Sequence, residues 1–86
     1  MEKENLREKI ERYKAKAKIF LAEDIKTFIE DVNGSYYFCK ILKVNDNYFV
    51  VKSFVGKRLN ELDRIFFVDI IRFEEYEELE EGKWLS

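Results

Sequence analysis

The chain has 86 residues with no Pro, no His, three Gly and one Cys, and its 16 basic against 18 acidic side chains leave a formal charge of −2. That length carries one modest core, read as a single domain over 1–86, and a composition of 47 % hydrophobic and 16 % aromatic residues is not that of a disordered chain. Without His and with one Cys it has no imidazole proton shuttle, no thiolate zinc site and no intrachain disulfide, so no enzyme, metal or cofactor is expected.

Apolar residues at Leu6, Ile10, Tyr13, Ala17, Phe20 and Leu21 recur at steps of four and three, which predicts an amphipathic helix over 4–21. Its stripe is narrow, which suits packing over the open end or face of something larger, or a short contact between subunits. Seven basic side chains against four Glu give residues 1–18 a charge of +3.

From Glu23 onward β-branched and aromatic residues dominate and turn formers arrive at short intervals, so a small β unit is expected over 24–76. Residues 25–32 form a first strand closed by Asn33-Gly34, the strongest hairpin signal in the chain. Residues 35–44 form a second strand, Asn45-Asp46-Asn47 a tight turn, and 48–55 a third strand. Residues 56–63 read as a polar connection with room for one helical turn, and 64–76 as one bent strand or two with a break near Asp69. Six Glu against Lys83 give residues 74–86 a charge of −5, and 77–86 form an acidic tail whose Trp84 and Leu85 either dock or stay disordered.

One helix and five short consecutive antiparallel strands define a mainly β fold. A sheet this apolar on both faces has to curl, and closure removes exposed edges, so a strongly bent small barrel is expected. Phe38, Leu42, Val44, Val50, Phe66, Val68 and Ile70 are assigned inward. The opposite parity, at Cys39, Ile41, Phe49, Val51, Ile65 and Phe67, is also apolar and suggests a second contact surface, covered by the helix and by another subunit. Apolar runs stop at four or five residues, far short of a bilayer span, and the first residues are charged instead of apolar, so a cytoplasmic protein with no membrane partner is expected.

A helix, a strand ending in Asn33-Gly34, the stretch VNGSYYFCKILKVNDNYFVV over 32–51 and a final aromatic-aliphatic pair of strands follow a recognisable order. Over about residues 6–76 this resembles the Sm-like superfamily, the helix-capped five-stranded SH3-like barrels that include Sm, LSm and Hfq proteins. The resemblance implies a ring of subunits joined edge to edge by the fourth and fifth strands, here with Ile65, Phe67, Ile71 and Phe73 at the interface. It also implies single-stranded RNA held by the loop between strands two and three, at Asn45, Asp46, Asn47 and Tyr48, with Arg72 in Ile71-Arg72-Phe73 where the family has Ile-Arg-Gly. Phe73 replaces that Gly, Cys39 stands where many members have Gly, and no His follows to make the Hfq uridine motif.

Read from the residues alone, each candidate keeps a plainer alternative. Asn45, Asp46 and Asn47 are good turn formers; Tyr36, Tyr37, Tyr48 and Phe49 suit either base stacking or the core. Lys57 and Arg58 suit either phosphate or a solvated loop, and Cys39 reads as a small buried hydrophobe. Two functions are weighed: a non-catalytic Sm-like protein whose ring oligomer holds single-stranded RNA, and the same barrel as a protein-interaction or assembly module without RNA. The placement of Lys40, Lys43, Lys52, Lys57 and Arg58, on one face or on several, separates them.

Overall fold

A computed structural model describes residues 5–76, so the acidic tail with Trp84 lies outside the described residues. Helix α1 (Leu6–Ala22) precedes strands β1 (Thr27–Asp31), β2 (Tyr36–Val44), β3 (Tyr48–Ser53), β4 (Leu62–Phe66) and β5 (Ile70–Glu75). The helical turn expected in the polar connection is a 3₁₀ turn at Gly56–Arg58, and the break expected near Asp69 is a second one at Phe67–Asp69.

Local chemistry sets these boundaries. Asn5 caps α1: its Oδ1 accepts the Glu8 backbone N–H at 2.8 Å and its Nδ2 donates to Glu8 Oε1 at 2.8 Å. The helix ends where Asp24 turns left-handed at φ 54, the Glu23 N–H still reaching the Ile19 carbonyl at 3.0 Å. Between β1 and β2 the buried Asp31 carboxylate accepts the backbone N–H groups of Asn33 at 2.9 Å and Ser35 at 3.0 Å. Gly34 supplies the positive φ of 83 that this turn requires.

The strands form one antiparallel sheet in the order β4-β3-β2-β1-β5. Its two edge strands are consecutive in sequence and joined by three residues, so the sheet has to curl until its edges approach. Register shifts at Glu30/Asp31 and Ile41/Lys43 add the local bend. The linking turn is tied down on both sides, by Phe67 N–H to the Asn47 carbonyl at 3.0 Å and Val32 N–H to the Asp69 carbonyl at 2.8 Å. Among the described residues no β4–β5 ladder closes the circle, so the expected barrel is a curled sheet that stays open.

The core lies on the face assigned above as the second contact surface. Cys39, Ile41, Phe49, Val51, Ile65 and Phe67 are buried together with Ile29, Ile70 and Phe73, whereas Leu42 and Phe66 are exposed and Phe38, Val50 and Val68 only half-buried. Of the seven residues assigned inward, Ile70 is buried and Val44 packs at the core's margin. Helix α1 covers this face with Tyr13 and Ala17, flanked by Ile10 and Phe20. Phe73 sits at the junction, its ring 5.8 Å from Tyr13, 5.1 Å from Phe20 and 5.5 Å from Phe49. Lys9 reaches the Val68 carbonyl at 3.0 Å and Lys16 reaches that of Phe73, which fastens the helix to the second 3₁₀ turn and to β5. Each fully buried Phe or Ile contributes roughly 1.5–3 kcal/mol.

This packing corrects the interface assignment. Ile65, Phe67 and Phe73 fill the chain's own core and have no side-chain surface for a neighbour, leaving Ile71, 52 % exposed on edge strand β5, as the one expected interface side chain on the outside. No helix of the described residues is long and apolar enough to cross a membrane.

Candidate nucleic-acid interface

Strand alternation that sends Phe49, Val51 and Ile65 into the core sends their neighbours to the opposite, outer face. The ladder registers then align that face row by row. Tyr48 lies opposite Phe66, Val50 opposite both Arg64 and Lys43, Lys52 opposite both Lys40 and Leu62, Phe28 opposite Phe38, and Glu30 opposite both Tyr36 and Arg72. Five basic residues, Lys40, Lys43, Lys52, Arg64 and Arg72, thus share the outer face of the strands with two acids, Glu30 and Glu74. The remaining strand acids, Asp31, Asp63 and Glu75, have the other parity.

Aromatic rings border these cations. At one end Tyr48 and Phe66 have centroids 5.3 Å apart and the Arg64 guanidinium lies 5.1 Å from the Tyr48 ring. At the other, Phe28 stacks on Tyr36 at 5.7 Å and touches Phe38 at 5.4 Å, with Arg72 5.1 Å from the Phe28 ring. Arg72 also donates through Nε to Glu74 at 3.0 Å, and this contact raises its pKa. Between the ends, a groove of about 350 Å³ is lined by Lys26, Lys40, Lys52, Leu42, Phe54 and Leu59 among others. Phe54 is held from one side by Lys26 at 5.2 Å and from another by Tyr76 at 5.3 Å.

The residues singled out from sequence fall into separate places. Asn45, Asp46 and Asn47 form the β2–β3 turn, where the Asn47 carbonyl is engaged by Phe67 and Asp46 Oδ1 accepts from Lys14 at 2.9 Å. That hydrogen bond lowers the pKa of Asp46 and raises that of Lys14. Tyr48 begins β3 and belongs to the outer face. Lys57 and Arg58 lie in the first 3₁₀ turn at the far end of the sheet, bordering a groove of about 290 Å³ with Tyr36, Tyr37 and Phe38. Arg58 sits 5.0 Å from the Tyr37 ring and hydrogen bonding to Tyr37 raises its pKa, while the Tyr37 hydroxyl donates to Asp31 Oδ2 at 3.4 Å. Arg72 therefore does not meet the β2–β3 turn: it faces Phe28, Tyr36 and Glu74 instead.

Sequence reasoning overlooked Lys26 and Arg64. Arg64 was legible, since it shares strand parity with Phe66; Lys26 depends on where the chain enters β1, which no local pattern reveals. Phe49, weighed for stacking, is fully buried. Cys39 is also fully buried, and burial, helped by Asp63, pushes its thiol up to about 12, so it is inert at neutral pH. Among the described residues no cluster of His, Cys, Asp or Glu is arranged to hold a metal.

The fold and this face define a helix-covered, curled antiparallel sheet with a basic and aromatic outer surface. Comparison with family models, curated proteins and solved structures finds no match to the chain.

Proposed function

We infer that this chain is a non-catalytic, Sm-like RNA-binding protein of the cytoplasm that assembles through its strand edges and holds single-stranded RNA. The observation that carries the reading is the gathering of Lys40, Lys43 and Lys52, with Arg64 and Arg72, on one sheet face between two groups of aromatic rings. Cations attract the phosphates of a strand, and rings at both ends offer stacking, which contributes about 1–3 kcal/mol per base. The nine residues of β2 give this face a length of roughly 30 Å at about 3.3 Å per residue. Assembly is supported by the open sheet, whose two edges, β4 and β5, are the strands that the Sm-like resemblance joins between subunits.

The test is a fluorescent oligo-uridine titrated at low and at physiological salt, with the protein's mass measured in solution. Binding that weakens steeply with salt, by a species heavier than one chain, is expected. No binding at low salt overturns the RNA assignment, and a monomer overturns the assembly. A second reading, a protein-interaction module without RNA, is favoured by the exposed apolar residues Leu62, Phe66 and Ile71 on the two edge strands. An oligomer that ignores oligo-uridine is its expected result.

A further inference from the structure

The outer face contains an arrangement that folding alone does not favour. Lys40 and Lys52 are cross-strand partners, so two lysines occupy directly opposite positions on adjacent strands. Like charges in that position destabilise a sheet, and Lys26 adds a third to the same groove. Asp24 holds Lys40 at 3.1 Å from the exposed rim, and among the described residues no carboxylate lines the groove. Beside the lysines, Asn60 adopts φ 68, a left-handed conformation that Asn tolerates, with its N–H bound to the Ser53 carbonyl at 2.9 Å. An anion between Lys40 and Lys52 offsets that like-charge cost.

The groove also selects the kind of anion. Its lysines border an apolar surface made by Leu42 and Leu59, both about half exposed, with Ser53 and Asn60 as neutral polar neighbours. Phe54 is already occupied by Lys26 and Tyr76, so a flat ring entering the groove lies against the leucines. A ligand with a phosphate and an adjacent flat, partly apolar ring matches this lining; inorganic phosphate alone leaves the leucines uncovered. We propose that the Lys26–Lys40–Lys52 groove is a nucleotide-binding subsite that seats one phosphate of single-stranded RNA between Lys40 and Lys52 and its neighbouring base against Leu42 and Leu59. This rests on the RNA reading above and moves its centre away from the β2–β3 turn, where Asp46 is engaged by Lys14.

The test uses the full chain and three proteins: wild type, Lys40→Gln/Lys52→Gln, and Arg7→Gln/Lys18→Gln, which removes the same charge from the helix. Oligo-uridine affinity is measured over a salt series and the thermal midpoint without ligand. The groove variant is expected to bind at least about tenfold more weakly, with the slope of log K against log salt shallower by roughly 0.7, as loss of one phosphate contact on a single strand implies. Its midpoint should stay close to that of wild type, because the lost repulsion and the lost exposed Lys40–Asp24 pair are of similar small size; the helix variant should stay within about twofold of wild-type affinity. Equal weakening in both variants means diffuse charge and overturns the subsite, as does a groove variant that binds normally. If wild type ignores oligo-uridine but uridine monophosphate raises its midpoint and not that of the groove variant, the RNA reading fails and the nucleotide subsite stands. No rise in either overturns both. A polyglutamate peptide that binds as tightly as oligo-uridine, and is lost in the same variant, assigns the groove to acidic chains instead and overturns the proposal.

Discussion

At the residue scale, the buried polar groups make the sharpest predictions. Asp31 is nearly enclosed and serves two backbone N–H groups of the β1–β2 turn, so Asp31→Ala is expected to lower stability by about 2–3 kcal/mol in urea unfolding by leaving both donors unpaired. Asp63 is the converse: among the described residues its Oδ2 is buried without a hydrogen-bond partner, so Asp63→Asn, which breaks no hydrogen bond of that oxygen, should change stability by less than about 1 kcal/mol. Cys39 gives a pH prediction. Its folded pKa of about 12 lies above the 9.0 of a free thiol, so between these limits the unfolded chain has lost a proton that the folded chain keeps. The stability contribution is complete below about pH 9 and falls by about 1.4 kcal/mol per pH unit above it, levelling near 12. The stability difference between wild type and Cys39→Ala should therefore shrink on going from pH 8 to pH 10, and a thiol reagent should label the protein only in denaturant. That Cys39 is a buried hydrophobe was legible from its position in an apolar strand with no partner for chemistry. The Asp31 cap was not, because Asp31 reads as part of the first strand, 25–32, until the fold turns its carboxylate onto the backbone of the following turn.

At the scale of elements, order and breaks were legible and facing was not. Asn33-Gly34, Asn45-Asp46-Asn47 and the polar stretch 56–63 mark the strand ends because turn chemistry is local. The inward parity failed because β2, β3 and β4 are apolar on both sides, and hydrophobicity alone cannot choose between Phe38 with Phe66 and Cys39 with Phe67. Charge does choose: Lys40, Lys52 and Arg64 share parity with Phe38, Val50 and Phe66, and a charged row cannot face the core. The helix completes the decision by bringing Tyr13, Ala17 and Phe20 to the opposite face. Ala17 is fully buried against the sheet, so Ala17→Leu is expected to overpack this contact and cost about 1–3 kcal/mol. Asn5→Ala, which removes the N-cap, should cost about 1 kcal/mol and fray the first turn, seen as faster amide exchange at Leu6 to Lys9. The same non-local logic explains the candidate site. The resemblance placed RNA at the β2–β3 turn, where the residues are continuous in sequence, whereas the lysine groove draws on the entry to β1, on β2 and β3, and on the chain before β4.

At the scale of the whole molecule, the curled sheet leaves two edges that differ in sequence and in surroundings. Ile71 is exposed on the β5 edge, so Ile71→Lys is expected to reduce the mass of any assembly in sedimentation while shifting the thermal midpoint of the single chain by no more than about 4 °C, as for a surface substitution. The three-residue link between β4 and β5 has a consequence for what such an assembly looks like. An interface that joins β4 of one copy to β5 of the next uses two unlike surfaces, so it carries a direction and has no two-fold axis. A pair formed this way keeps one free β4 edge and one free β5 edge, and growth stops only when the rotation per copy brings the last edge back to the first. Copies blocked at β5 alone therefore act as one-sided terminators: mixed sparingly into wild type, Ile71→Lys should shorten any such assembly and leave a single altered chain at one defined end.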